Sequence, residues 1–176
     1  FVAGLQMHRA EIAQLLMWEI CKVLPDAEKE VDRTIVYIRD TIKELKNLEN
    51  RESTFIADGG IFAQVRRAPL GVVLCLGPFN YPFNETYATL IPALLMGNTV
   101  VMKLPRVGVL CHVPTLELFR DCFPPGVVNV ISGSGRETMP PIMKTGRVDV
   151  FAFIGSSSAA DALQKAHPKP HRLRVC

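Results

Sequence analysis

Over residues 4–23 the apolar positions Leu5, Ile12, Leu15, Leu16, Ile20 and Val23 recur largely at steps of three and four, the spacing that lines one face of an α-helix. Trp18 is expected to pack on or cap that face. Pro25-Asp26 interrupts the pattern with a turn and a cap, and residues 27–48 resume it with Val31, Ile35, Ile38, Ile42 and Leu45 on one side. A pair of helices is therefore predicted. Residues 46–53 are polar and read as a loop, and Asp58-Gly59-Gly60 reads as a turn between short strands at 54–56 and 61–67.

After Pro69 the texture changes to short apolar runs separated by helix-period segments and Gly/Pro turns. A strand covered by helices on both faces reads as a continuous apolar run, so this alternation predicts βαβ units and a parallel sheet. Strands are expected at 71–76, 99–103, 127–131 and 148–153, and helices at about 83–96, 108–121, 137–144 and 157–167. The fold class is α/β: an open parallel sheet with flanking helices, preceded by an N-terminal helical pair. The chain divides into a helical segment at 1–50 and a sheet domain at 51–176. The basic, Pro-interrupted stretch 165–174 reads as a solvated loop.

At 176 residues and 48% hydrophobic, the chain has ample apolar content for a core. Its 20 Lys and Arg are interspersed with 17 Asp and Glu for a net charge of +3, which leaves no basic footprint for nucleic acid or an anionic membrane. Small anions remain as ligands. Five cysteines, odd in number and without C-x-x-C spacing, with Cys75 inside an apolar run, argue for a reducing, cytoplasmic setting over disulfides or zinc. His8, His112, His167 and His171 form no metal-ligand spacing with them and read as surface or satisfied core histidines, so no metal is expected. No apolar run reaches membrane-spanning length. The Asn84-Glu85-Thr86 sequon falls at a helix start and reads as accidental. The chain starts at Phe1 without a Met and stops at Cys176 after a basic run, which reads as a piece of a longer protein.

Asn80 lies just past a buried strand, where a side-chain amide could donate to charge developing on a substrate oxygen; a helix cap or a Pro-flanked turn is the structural alternative. Lys103 ends an apolar strand and could reach a phosphate or a ribose hydroxyl, or simply face water. Arg106 reads as a solvated loop cation or an anion ligand. Gly133-Ser134-Gly135 opens like a dinucleotide fingerprint, but Thr138 stands where its third Gly would be. Ser156 follows a strand end and reads as a helix N-cap or as part of an anion site at a helix N-terminus.

Pro78-Phe79-Asn80-Tyr81-Pro82, the run from Ala93 through Gly97-Asn98-Thr99 to Lys103, Phe123-Pro124-Pro125-Gly126-Val127-Val128-Asn129-Val130 and Phe151-Ala152-Phe153-Ile154-Gly155-Ser156 together resemble the cofactor-binding half of the aldehyde dehydrogenase superfamily. The resemblance implies a Rossmann-like NAD(P)-binding domain over 51–176, cut before a catalytic domain. It implies that Asn80 lines an oxyanion hole and that Pro78, Phe79, Lys103, Arg106, Gly133, Gly155 and Ser156 contact the cofactor. Lys103 would meet the adenosine ribose. Arg106 stands where NAD-preferring members often carry a Glu, and a guanidinium suits a 2′-phosphate, so NADP is implied, with NAD the alternative. Ile154 replaces the usual Thr, and Ala160 holds a site where Gly is frequent.

Glu30-Val31-Asp32-Arg33-Thr34 and Tyr81 are similar to the non-phosphorylating, NADP-dependent glyceraldehyde-3-phosphate dehydrogenase branch, which implies that Arg33 and Tyr81 hold a substrate phosphate; Arg106 departs from the Thr common there. In such enzymes a Cys thiolate attacks the aldehyde, hydride leaves to the nicotinamide, and activated water releases the acid. None of the five cysteines matches that nucleophile, which the resemblance places beyond Cys176 with the general-base Glu. The implied parent is an oxidoreductase acting on a small aldehyde, a homo-oligomer when full-length. The alternatives are an acylating or acyl-phosphate-reducing relative and a non-catalytic nucleotide-binding module.

Overall fold

The computed structural model describes residues 1–52 and 54–176 and is built on a five-stranded, all-parallel sheet. Its strands are β3 (Val72–Leu76), β4 (Thr99–Lys103), β5 (Val128–Ile131), β6 (Val150–Phe153) and β7 (Arg174–Val175), in the spatial order β5-β4-β3-β6-β7. From β3 the chain winds outward through β4 to β5, then returns to the other side of β3 to lay down β6 and β7. That reversal is the doubly wound, Rossmann-like topology, and the four strands expected from the apolar runs are all present. Ahead of the sheet, β1 (Ile56–Asp58) and β2 (Ile61–Ala63) form an antiparallel hairpin. Its two-residue turn has φ of 56° at Gly59 and 83° at Gly60, a conformation that favours glycine.

The sheet is covered on both faces. Val73 and Cys75 point into one core, with Val100 and Met102 beside them. There they meet Leu5 of α1 (Val2–Met7), Ile12 and Leu16 of α2 (Arg9–Ile20), Val31 and Ile35 of α3 (Leu24–Glu52), and Phe83, Tyr87 and Leu90 of α4 (Pro82–Leu95). Phe119 of α5 (Val113–Cys122) closes that side. Leu74 and Leu76 point to the opposite face, against Met139 and Met143 of α6 (Gly135–Lys144), with α7 (Ser157–Ala166) outside them. This alternation along β3 is the period of two that any strand imposes.

Several expectations from local pattern are corrected. The first helix is broken at His8 (φ −92°, ψ 7°), and α1 lies against α5, close enough that a Cβ on Gly4 would stand 2.4 Å from a Leu118 methyl. Trp18 is 67% exposed instead of packed, because it sits two residues past Leu16, about 200° around the helix from the buried stripe. The helix expected at 27–48 begins at Leu24, with Pro25 in its first turn, and runs through the stretch read as a loop at 46–52. Leu45 and Leu48 are half-buried there, and Glu44 takes Arg51 and Asn47, so the segment keeps both a packed side and side-chain pairs. Ser53 lies outside the described residues.

The segment expected at 108–121 divides into a 3-10 turn, Leu110–His112, followed by α5. The tail is not a solvated loop throughout. Leu173 is buried in the second core, and β7 pairs with β6, Arg174 donating to Asp149 at 3.0 Å and Cys176 to Phe151 at 3.1 Å.

Candidate functional site

The carboxyl end of β3 runs through Gly77 into Pro78-Phe79-Asn80-Tyr81, and Pro82 begins α4. Gly77 has no room for a side chain: a Cβ would lie 1.8 Å from the Thr86 hydroxyl and 2.9 Å from its Cα. The first turn of α4 can therefore close directly on the strand end. Its free N–H groups are met from α3, where the Glu30 carboxylate accepts from Phe83 at 2.9 Å and Asn84 at 3.1 Å. Glu30 also pairs with the Lys22 ammonium. Lys22 in turn donates to the Asn80 carbonyl at 3.3 Å and lies 3.7 Å from the centre of the Tyr81 ring.

Above the strand ends is a cleft of about 560 Å³. Leu76, Gly77, Pro78, Phe79 and Asn80 line it from β3, Lys103, Pro105 and Arg106 from β4, and Phe153, Ile154 and Gly155 from β6. β3 and β6 are the pair across which the strand order reverses, where open α/β sheets bind ligands. A second hollow of about 600 Å³ lies between the C-terminal turns of α3 and α4, but Arg67 there already pairs with Glu52 at 2.7 Å.

Lys103 is only 6% exposed, yet among the described residues its side chain makes neither an ion pair nor a hydrogen bond. Burial pulls its ammonium below the ordinary lysine value. A Cβ on Gly135 would stand 3.8 Å from its Nζ, so the ammonium lies beside the start of α6. Arg106 is exposed on the cleft wall, also without a partner among the described residues. The Asn80 amide is exposed and makes no side-chain hydrogen bond there.

Gly155 is overhung by the Phe153 ring, 2.3 Å from where a Cβ would be. Ser156 caps α7, accepting from Ala159 at 3.4 Å and sharing a 3.2 Å bond with Ser158. Ser156 and Gly133 (φ 117°) are exposed and stand outside the cleft lining, whereas Pro78, Phe79, Asn80, Lys103, Arg106 and Gly155 are brought together in it. Tyr81 is half-exposed beneath Lys22. Arg33 is on the exposed side of α3 without a partner among the described residues; its neighbour Asp32 is held by Arg9 at 2.6 and 2.7 Å, which keeps that carboxyl below its usual range.

None of the five cysteines lines this cleft. Burial pushes the Cys75 thiol up to about 12 and raises Cys111 as well, so neither is a thiolate at neutral pH. Among the described residues no cluster could hold a metal ion, and no helix is long and apolar enough to cross a membrane.

His112 corrects the expectation of satisfied core histidines. It is fully buried, neither ring nitrogen has a hydrogen-bond partner, and it stacks on Tyr87 at 5.8 Å. His167 accepts from the Lys169 N–H through one nitrogen, while its other is likewise unpaired. Lys22, Glu30 and Gly77 were not anticipated. Glu30 carried a signal: with Ala27, Val31 and Thr34 around it, it is a carboxylate on an otherwise buried helix stripe.

This chain belongs to the aldehyde dehydrogenase family, whose profile matches residues 1–175. Among its relatives, the NADP-dependent glyceraldehyde-3-phosphate dehydrogenase of Streptococcus equinus is 34% identical over 169 residues, covering 90% of this chain and 35% of the relative. The structure of the corresponding enzyme from Bacillus halodurans C-125, complexed with NADP, superposes with a TM-score of 0.83 at 30% identity, covering 99% of this chain and 37% of the other. Betaine aldehyde dehydrogenase from Staphylococcus aureus, in complex with NAD+, shares the fold with the same TM-score at 23% identity, covering 99% of this chain and 34% of its own. The chain thus spans about a third of the length of the curated relatives it matches.

Proposed function

We propose that this chain is the cofactor-binding part of an aldehyde dehydrogenase that oxidises glyceraldehyde 3-phosphate to the carboxylic acid with NADP. The observation that carries the proposal is Lys103, a largely buried side chain whose ammonium has no counter-charge among the described residues, at the end of β4 beside the switch point of the sheet and on the same cleft wall as Arg106. Withdrawing an unpaired charge even partly from water is costly, and a ribose hydroxyl or phosphate oxygen in the cleft would offset that cost. The site fits a dinucleotide. Lys103 would meet the adenosine ribose, Arg106 the 2′-phosphate, and the backbone at Gly155 the pyrophosphate near the α7 N-terminus. Gly133 and Ser156 would support the pyrophosphate loops from outside the cleft.

When bound, the nicotinamide supplies the hydride acceptor. The Asn80 amide, free and facing the cleft, would donate to the oxyanion formed as the aldehyde carbonyl is attacked. None of the five cysteines lines the cleft and the chain covers only about a third of its relatives' length, so the nucleophile and the general base are assigned to the remainder of the full-length enzyme. We extend the proposal to a cytoplasmic homo-oligomer, and to Arg33 and Tyr81 as ligands of the substrate phosphate.

Calorimetric titration of the full-length protein with NADP and NAD tests the cofactor assignment. The unaltered protein should prefer NADP, and Arg106→Glu should shift the ratio of the two affinities toward NAD by about tenfold or more, as expected for losing a charge-assisted bond. An unchanged ratio would remove Arg106 from the site.

A further inference from the structure

We propose that Lys22 is a positioning residue for the reaction: with its buried partner Glu30 it clamps the backbone of the Asn80 loop and so sets where the Asn80 amide points. The proposal rests on the reading of Asn80 as the oxyanion donor. The Lys22 side chain is 11% exposed and that of Glu30 fully buried, so this is an interior pair between the α2–α3 connection and α3. One carboxylate oxygen of Glu30 holds the first turn of α4 and the other holds Lys22.

The ammonium then reaches two more groups, the Asn80 carbonyl at 3.3 Å and the Tyr81 ring at 3.7 Å, 58 and 59 positions further along the chain. Among the described residues, the bond from Lys22 is the single hydrogen bond made by residues 78–80. The Asn80 side chain has no tether of its own, so its direction follows from its backbone.

The last turn of α2, leading into this connection, also braces the neighbouring loop. Glu19 accepts the Leu110 N–H at 2.6 Å, at the 3-10 turn that follows the Arg106 segment. Cys21, the one non-glycine residue with positive φ among those described (55°), turns the chain between Glu19 and Lys22, so that one side chain serves each loop. A left-handed backbone at a non-glycine residue persists only where its surroundings hold it there. The segment 19–22 is thus a wedge under both strand-end loops that carry the candidate chemistry. Misplacing a reacting or stabilising group by about 1 Å can cost on the order of a hundredfold in rate, which gives such a wedge functional weight.

The test is the single-turnover rate of NADPH formation by the full-length protein with NADP and glyceraldehyde 3-phosphate. Lys22→Met should slow it about tenfold or more while NADP affinity, read by titration, stays unchanged. Asn80→Ala should slow it as well, and combining the two should slow it no further than Asn80→Ala alone, because Lys22 acts through Asn80. Multiplied losses in the double variant, or a wild-type rate in Lys22→Met beside a slow Asn80→Ala, would overturn the positioning role alone. A wild-type rate in Asn80→Ala would instead overturn the oxyanion reading, and the role of Lys22 with it.

Since Lys22→Met leaves a buried carboxylate unpaired, Lys22→Met/Glu30→Gln provides a folded comparison. It removes both charges and retains an oxygen to accept from Phe83 and Asn84. The same rate loss is expected of it, and a wild-type rate would refute the clamp.

Discussion

Glu30 on α3 and Phe83 at the start of α4, 53 residues apart, are joined by a 2.9 Å hydrogen bond from the Phe83 backbone N–H to the Glu30 carboxylate. A residue from the N-terminal helices therefore caps the helix that leaves the central strand. The negative charge stands at the positive end of that helix, where the macrodipole favours it.

Removing the cap should be expensive. Glu30→Ala strands the Phe83 and Asn84 N–H groups and leaves Lys22 without its partner, a loss expected to be about 3 kcal/mol or more. Glu30→Gln still leaves Lys22 without its counter-charge but keeps an acceptor for the two N–H groups, so it should lose less than Glu30→Ala. Urea unfolding of both variants checks this, and equal losses would show that the charge pair with Lys22 outweighs the cap.

Acid should destabilise the fold through His112. Burial pulls its imidazole from 6.5 down to about 4, against a smaller opposing effect of the Pro82 backbone, so the folded state holds it neutral while the unfolded chain protonates it first. Its contribution is complete above about pH 6.5 and is lost progressively as the pH falls toward 4, amounting to roughly 3 kcal/mol below both values. His112→Phe retains a ring to stack on Tyr87 and cannot titrate. Its stability should fall less than that of the unaltered protein between pH 7 and 4, and parallel curves in urea titrations would exclude His112 as the sensor.

Arg33 and Tyr81 should act on substrate charge, not on folding. Arg33 is exposed and without a partner among the described residues, so Arg33→Ala should leave the unfolding midpoint in place. It should raise KM for glyceraldehyde 3-phosphate by about tenfold while sparing an unphosphorylated aldehyde, since only the phosphorylated substrate loses a charge-assisted contact. Tyr81→Phe keeps the ring under Lys22 and removes the hydroxyl, and it should show the same selectivity to a smaller degree. Equal losses with both substrates would assign these residues structural roles.

The cysteines should separate by burial. Cys21, Cys122 and Cys176 are exposed, whereas Cys75 and Cys111 are fully buried with raised thiol pKa values. Iodoacetamide at pH 8 followed by peptide mass spectrometry should find the first three modified in the native protein and the last two only after unfolding. Rapid native labelling of Cys75 would mean that the sheet core opens.

Much of this architecture is written in short-range pattern. β3 and β4 are covered on both faces, so they appear as unbroken apolar runs, and the helices between strands carry their own period. The strand ends follow at once, and with them the placement of Asn80 and Lys103 beside the cleft. Surface helix was harder to read: residues 46–52 are polar because they face water, and polarity alone does not distinguish an exposed helix from a loop. The tail misled for a related reason, since β7 contributes only Arg174 and Val175 and both face solvent.

The amino-acid sequence by itself determined the α/β class, the parallel strands and the family, because each depends on local periodicity or on contiguous motifs. Tertiary structure alone decided that Lys22 reaches Asn80, that Glu30 caps α4, that Lys103 is buried without a counter-charge, and that His112 has no partner. These depend on which side chains meet after residues some 50 to 60 positions apart are packed together, and on how much water the packing excludes. A single residue's chemistry contains neither quantity, so its charge and type were legible while its partners and solvation were not.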